Sequence, residues 1–354
     1  MCAVKVLIID DSALIRALLT EIFESDSRFK VVAAAEDAYQ ARDLIKKHNP
    51  DVLTLDIEMP KMNGIMFLQN LMRLRPMPVV MISTLTQQGA PVTLEALEHG
   101  AVDFVPKPKS DGSGGLESCR QTILEKVWHA SRANVRPKAT KREKEKLVEE
   151  AKRNNSLIGR KCLRTDFLCA IGASTGGTEA IKEVITCLPE NSPAIVIAQH
   201  IPGTFSASFA RRVDNASKIN VYQAEDGQPI KSGCAYIAPG DAHLKVVLAA
   251  GSYICKLDNS GPVNRHMPSV EVLYDSVLEA SGGRNTMGVL LTGMGADGSE
   301  ALLRMKQANC VTVAQDEASS VVWGMPGHAV KIGGAEKILP LNRVASEILS
   351  VAFR

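Results

Sequence analysis

Short apolar runs at Val4–Ile9, Val31–Ala34, Val52–Leu55, Val79–Ile82 and Val102–Val105 alternate with stretches whose apolar residues recur at helical spacing. Those stretches are Ala13–Phe23, Tyr39–His48, Ile65–Leu74, Val92–His99 and Leu116–Arg132. The alternation predicts an α/β unit over residues 1–132, a five-stranded doubly wound parallel sheet covered by helices. A second series of apolar runs falls at Phe167–Ile171, Ala194–Ala198, Ile219–Tyr222, Cys234–Ala238, Leu244–Leu248, Tyr253–Leu257, Met287–Leu291 and Val311–Ala314. Helical patterns follow Gly177, Gly203, Pro268 and Gly298, and turn signals at Asp226-Gly227 and Ala250-Gly251 predict antiparallel hairpins in the middle. The expected second unit, 166–354, is therefore a mostly parallel sheet with a hairpin insertion. Between the units, residues 133–165 turn to Lys, Arg, Glu and Asn with few large apolar side chains, which predicts a charged tether. Ser110–Gly115 reads as a separate flexible loop.

In doubly wound sheets, chemistry collects at the carboxyl ends of the strands. In the first unit those ends deliver Asp10 and Asp11, then Asp56, Ser83 and Lys107. Carboxylates converging on one edge repel one another, and a hard divalent cation with oxygen ligands, naturally Mg²⁺, relieves the repulsion. Asp56 then suits a carboxylate nucleophile toward a phosphoryl donor, with Lys107 and the Ser83 hydroxyl holding phosphoryl oxygens.

In the second unit an apolar strand runs directly into Gly-Ala-Ser-Thr-Gly-Gly, with Ser174 flanked by Gly172, Gly176 and Gly177. The motif by itself leaves two readings open: a nucleophile on a sharp strand-to-helix turn, or a backbone cradle for phosphate at a helix N-terminus. The neighbouring strand ends favour the nucleophile, because they deliver His200 and Asp297 to the same edge. Serine, histidine and carboxylate together permit acyl transfer, with backbone N–H groups near His200 or Met294 as oxyanion donors. The chain order Ser, His, Asp differs from the Ser, Asp, His order of α/β-hydrolases. His243, His266 and His328 show no comparable partners in the sequence.

Composition narrows the function classes. With 41 Lys+Arg against 39 Asp+Glu and 4% aromatics, no global field or stacking platform points to nucleic acid or an anionic membrane. The eight cysteines contain no CxxC pair or zinc spacing and read as reduced thiols. With no leader pattern and no apolar run near the ~18 residues of a membrane span, a cytoplasmic protein without direct membrane insertion is expected.

Two resemblances sharpen these expectations. The first unit resembles a response-regulator receiver through Ile-Asp-Asp-Ser, Leu-Asp-Ile-Glu-Met-Pro-Lys-Met-Asn-Gly, Met-Ile-Ser-Thr and Phe-Val-Pro-Lys-Pro. That resemblance implies Asp56 as phosphoacceptor fed by a chemotaxis histidine kinase, and Mg²⁺ on Asp10, Asp11, Asp56 and the Glu58 carbonyl. It also implies a switch through Ser83, Phe104 and Lys107, and a cis bond between Lys107 and Pro108. The second unit resembles the catalytic domain of the chemotaxis protein-glutamate methylesterase family. The matching pieces are Gly-Ala-Ser-Thr-Gly-Gly-Thr-Glu-Ala-Ile, Gln-His-Ile-Pro, Ala-Tyr-Ile-Ala-Pro-Gly-Asp and Leu-Thr-Gly-Met-Gly-Ala-Asp-Gly. This implies a Ser174, His200, Asp297 triad with Thr175 and Met294 beside it and no catalytic cofactor. The implied substrates are glutamate methyl esters on the cytoplasmic helices of chemoreceptors, and certain receptor glutamines for deamidation. One departure is Met267, where the resemblance leads one to expect arginine. The rival from another class is a receiver joined to a non-enzymatic nucleotide-binding module.

Overall fold

The structure, a computed structural model, describes residues 3–83, 89–107, 115–135, 162–164 and 166–353. The expected tether from 136 to 161, most of the Ser110–Gly115 loop and the Lys107–Pro108 peptide lie outside the described residues. The chain divides into two compact units, Met1–Ala139 and Thr140–Arg354.

The first unit alternates β1 (Val4–Ile9), α1 (Ala13–Glu24), β2 (Phe29–Ala35), α2 (Ala38–His48), β3 (Val52–Asp56) and α3 (Gly64–Leu74). It continues with β4 (Val79–Ser83), α4 (Ala90–Glu98), β5 (Asp103–Pro106) and α5 (Gly115–Ala130). The strands form one five-stranded sheet in the order β2-β1-β3-β4-β5, all pairings parallel. Its central strands are apolar without alternation because helices cover both faces. Polar side chains start the first three helices: Ser12 accepts from the Ile15 N–H, Asp37 from those of Tyr39 and Gln40, and Asn63 from that of Met66. Chain order reverses between β1 and β3, so residues leaving those strands flank one crevice.

The second unit runs β6 (Leu168–Ala173), α6 (Gly177–Thr186), β7 (Ala194–Gln199), α7 (Gly203–Ala216), β8 (Asn220–Gln223) and β9 (Cys234–Ile237). Next come β10 (His243–Ala249), β11 (Ser252–Asp258), α8 (Val270–Ser281), β12 (Thr286–Leu290) and α9 (Ser299–Gln307). The last elements are β13 (Val311–Gln315), α10 (Met325–Lys331), β14 (Lys337–Leu339) and α11 (Leu341–Ala352). Seven strands form a parallel sheet ordered β14-β13-β12-β6-β7-β9-β8, while β10 and β11 pair antiparallel as the inserted hairpin. Its turn uses Ala250 and Gly251, both at positive φ, as a tight hairpin turn requires. The hairpin lies against α8, and Leu244, Val246 and Cys255 join Leu273, Tyr274 and Val277 in the core beside β6 and β7.

One expectation needs correction. The turn at Asp226-Gly227 does not close a hairpin, because β8 and β9 run parallel. The segment after it instead lies antiparallel along β11, with Gly227 donating to the Cys255 carbonyl and Ile230 to that of Tyr253. At the start of the unit, residues 162–164 dock on the end of the chain: Leu163 bridges Phe353, and the Arg164 N–H donates to the Ala352 carbonyl.

Candidate active site

The three adjacent strands β12, β6 and β7 lie at the middle of the second sheet, and each ends in one of the residues expected to carry chemistry. Ser174 follows β6, His200 follows β7, and Asp297 lies in the turn after β12. His200 Nδ1 stands 3.1 Å from Ser174 Oγ, and its Nε2 stands 2.9 Å from Asp297 Oδ2. The imidazole is thus spanned edge to edge, with the hydroxyl on one nitrogen and the carboxylate on the other. The Asp297 side chain is 1% exposed and that of His200 8%.

The turn that presents Ser174 gets its sharpness from Gly176, at φ 75°, whereas Ser174 itself keeps negative φ. A Cβ on Gly176 would also come within 2.7 Å of Val321. Gly172 and Gly177 serve close packing instead: a Cβ on Gly177 would fall 2.1 Å from Gln199 Oε1. Two N–H groups of this turn are already engaged, Ser174 with the Thr292 carbonyl at 3.0 Å and Gly177 with the Ser174 carbonyl at 2.7 Å. A phosphate cradle needs such donors pointing outward, so this engagement argues against the cradle reading. Thr175 is buried, with its carbonyl accepting from Thr292 Oγ1. Met294 follows Gly293, where a Cβ would lie 2.8 Å from the Cβ of Ser174.

Several neighbours escaped the sequence reading. Gln199 is buried and donates from Nε2 to the carbonyls of both Ser174 and His200, tying the residues that carry the hydroxyl and the imidazole to one amide. Asp297 sits at the N-terminus of α8. Its Oδ2 accepts from the Val270 N–H at 2.7 Å, and its Oδ1 from Asn264 Nδ2 at 2.9 Å and Ser269 Oγ at 2.8 Å. Burial pushes this carboxyl up, but His200, Asn264 and Val270 outweigh it and hold it at about 2. Ser269 is legible as a helix cap; its second role toward Asp297 is not, since the two are far apart in sequence. His266, expected to be without a relevant partner, stacks on His200 with ring centroids 3.7 Å apart and planes 12° from parallel. Met267, at the position where arginine was expected, is half-buried in the same loop.

In the first unit, Asp10, Asp11 and Asp56 bring carboxylate oxygens within 4.8 Å of one another. Lys107 Nζ reaches Asp56 Oδ2 at 2.7 Å and Asp10 Oδ2 at 3.2 Å. Apart from that 3.2 Å approach of Lys107 Nζ, the buried Asp10 Oδ2 has no well-aligned hydrogen bond, which leaves it able to take a cation as a further partner. Burial, reinforced by Asp10, pushes the Asp56 carboxyl up to about 6 despite Lys107. Gly64 lets α3 close over Asp56, whose carbonyl would lie 2.0 Å from an added Cβ. Phe104 is buried beneath Lys126, Glu58 is exposed, and Ser83 ends β4 with its side chain outside the described residues.

Comparison with known proteins agrees with both halves. Residues 169–348 match the family model of the CheB methylesterase, and residues 6–113 match the response regulator receiver domain. A protein-glutamate methylesterase/protein-glutamine glutaminase of Saccharophagus degradans is 60% identical, covering 100% of both chains. A second, from Hahella chejuensis, is 51% identical over 97% of this chain and 95% of its own. The crystal structure of the Thermotoga maritima CheB methylesterase catalytic domain superposes with TM-score 0.51 at 36% identity, covering 52% of this chain and 98% of that one. The chain belongs to the CheB methylesterase family, with a response regulator receiver domain preceding the methylesterase domain.

Proposed function

We propose that this protein hydrolyses glutamate methyl esters of chemoreceptors through Ser174, His200 and Asp297, under control of phosphorylation at Asp56. The observation that carries the catalytic half is the unbroken line from Asp297 through His200 to Ser174. Ser174 Oγ attacks the ester carbonyl while His200 Nδ1 takes its proton. Asp297 holds the other nitrogen, Nε2, as the N–H tautomer and offsets the charge that forms on the ring. Collapse of the tetrahedral adduct breaks the bond to the methoxy group, which leaves as methanol with the proton from His200. Water then attacks the acyl-enzyme by the reverse proton path, releasing glutamate and free Ser174. Thr175 and the Met294 turn flank the nucleophile as the source of oxyanion donors. The same groups serve glutamine deamidation, where ammonia must leave and the proton from His200 matters more.

In the receiver, Asp10, Asp11 and Asp56 with the Glu58 carbonyl would hold Mg²⁺, which when bound screens the charge of an incoming phosphoryl donor. Asp56 attacks phosphorus as the P–N bond to the donor's phosphohistidine breaks and the imidazole leaves, taking up a proton; Lys107 and Ser83 take the phosphoryl oxygens, with Phe104 as the switch residue. A chemotaxis histidine kinase is the donor, and methylated chemoreceptor cytoplasmic domains are the substrates. Residues 1–132 form the receiver, 133–165 the tether and 166–354 the esterase, acting in the cytoplasm. No helix among the described residues is long and apolar enough to cross a membrane.

The test is methanol release from methylated receptor fragments by the native chain and by Ser174→Ala. Loss of the nucleophile should lower kcat by at least about 10³-fold. A native rate in that variant would remove Ser174 from the mechanism.

A further inference from the structure

His243, at the start of β10, is fully buried and takes no part in the chemistry above. Its ring nevertheless has both nitrogens committed. Nδ1 accepts the Ser269 N–H at 3.0 Å, so the proton resides on Nε2, which donates to the Gly261 carbonyl at 2.7 Å. Gly261 and Ser269 are the two ends of one loop. Inside it Asn264 and Arg265 both adopt positive φ, and Val263 and His266 exchange backbone hydrogen bonds, closing a tight turn.

Three side chains of this loop reach the triad. Asn264 and Ser269 donate to Asp297 Oδ1, and the His266 ring lies flat on that of His200. Nothing in the hairpin strand that carries His243 touches Ser174, His200 or Asp297 through a described hydrogen bond, so any influence passes through the loop.

We propose that His243 is a positioning residue of the methylesterase: its imidazole clips the two ends of the Gly261–Ser269 loop, and the clipped loop sets the orientation of His200 and Asp297. The proposal rests on the triad reading. An imidazole suits the task because it accepts at one corner and donates at another in fixed geometry, so the carbonyl of Gly261 and the N–H of Ser269 are held at a set separation. Without the clip, the Asn264 and Ser269 donors and the His266 ring shift together. A displacement of about 1 Å at reacting groups costs on the order of 10²-fold in rate.

The experiment uses the full chain with methylated receptor fragments and three variants: His243→Phe, His243→Asn and Ser174→Ala. Phenylalanine keeps the ring volume and loses both bonds; its kcat should fall about 10- to 100-fold, with KM within about twofold of native. Asparagine can place Oδ1 as an acceptor for Ser269, but its Nδ2 donor stops short of the position from which Nε2 reaches Gly261, and its kcat should fall between native and the phenylalanine variant. In ¹⁵N-histidine spectra of the folded variants, the His200 Nε2–H resonance should move, which a general loss of stability would not produce. Native kcat in folded His243→Phe, or an unmoved His200 resonance beside a lowered kcat, overturns the clip. If the phenylalanine variant does not fold, the asparagine variant decides alone, native kcat overturning the proposal. Ser174→Ala separates the two readings. If it keeps activity, the triad itself fails; if it is inactive while His243→Phe turns over normally, only the clip fails.

Discussion

Two buried aspartates show how far a single residue's behaviour depends on neighbours remote in sequence. Burial raises both carboxyls, yet Asp297 is held at about 2 and Asp56 rises to about 6. Donors at Asn264, Ser269, Val270 and His200 surround Asp297, whereas Asp56 shares Lys107 with a second carboxylate, Asp10. The sequence places both residues after apolar strands and offers no way to tell them apart, because the deciding groups arrive from other elements. For Asp56 the sign follows directly. A folded-state value above the ~3.9 of a free aspartate means that the metal-free fold holds this proton more tightly than the unfolded chain. The stabilisation from that proton is complete below about pH 4 and is lost as pH rises through about 6. A divalent cation at Asp10, Asp11 and Asp56 must displace the same proton. Mg²⁺ affinity, measured by titration calorimetry, should therefore fall about tenfold per pH unit below 6 and level off above it. An affinity that stays flat from about pH 5 to 7 would show that Asp56 is already ionised without the metal.

At the scale of elements, the strand-end logic explains why so much of both candidate sites is legible in the sequence. Asp10, Asp56 and Lys107, like Ser174, His200 and Asp297, all follow apolar runs, and parallel sheets bring such ends to one edge. Other features had weaker local signals. Parallel pairing of β8 with β9 passed for a hairpin because Asp226-Gly227 is a genuine turn, spent here on pairing with β11. The edge strand β14 spans only Lys337–Leu339, and α10 carries Pro326 and Gly327 in its first turn, so neither has enough periodicity to register. The amphipathic α11, by contrast, has a clear helical spacing that starts directly behind Pro340. The contact of the turn after β12 with Ser174 is equally invisible in sequence, and it is sharp enough to test. A Cβ on Gly293 would stand 2.4 Å from Met325 Sδ and 2.8 Å from Ser174 Cβ, so Gly293→Ala forces α10 or the nucleophile turn to move. Overpacking of this kind costs about 1–3 kcal/mol, read as a lowered urea midpoint. Because Met325 meets the new Cβ only with a flexible thioether, whereas Ser174 meets it with Cβ and, at 3.0 Å, its backbone N, kcat should drop about 10- to 100-fold beyond the stability effect. Native kcat with reduced stability would mean that α10 yields instead.

At the scale of the molecule, the proposal couples a charge change in one unit to ester hydrolysis in the other. Phosphorylation of Asp56 brings the site to roughly −1.5 to −2 charge and adds acceptor oxygens that compete for Lys107, now paired with Asp56 and Asp10. Such an event changes activity only by the amount it favours one arrangement of the chain over another, and a tenfold change requires about 1.4 kcal/mol of preference. Two forms of control give different kinetics. If the unphosphorylated receiver limits access of substrate, the apparent affinity is lowered by the fraction of competent molecules. A phosphoryl donor should then lower KM with kcat nearly unchanged. If the receiver instead disturbs the triad, phosphorylation should raise kcat at saturating substrate. Control of access is the simpler form, because the line from Asp297 to Ser174 closes entirely within the second unit. The expected result, with Mg²⁺ and acetyl phosphate and methanol release as the readout, is a KM reduced about tenfold or more, no response in Asp56→Asn, and a low KM at all times in the chain from Asp166 to Arg354. Equal rates for that shortened chain and the unphosphorylated full chain at substrate well below KM would rule out inhibition by the unphosphorylated receiver.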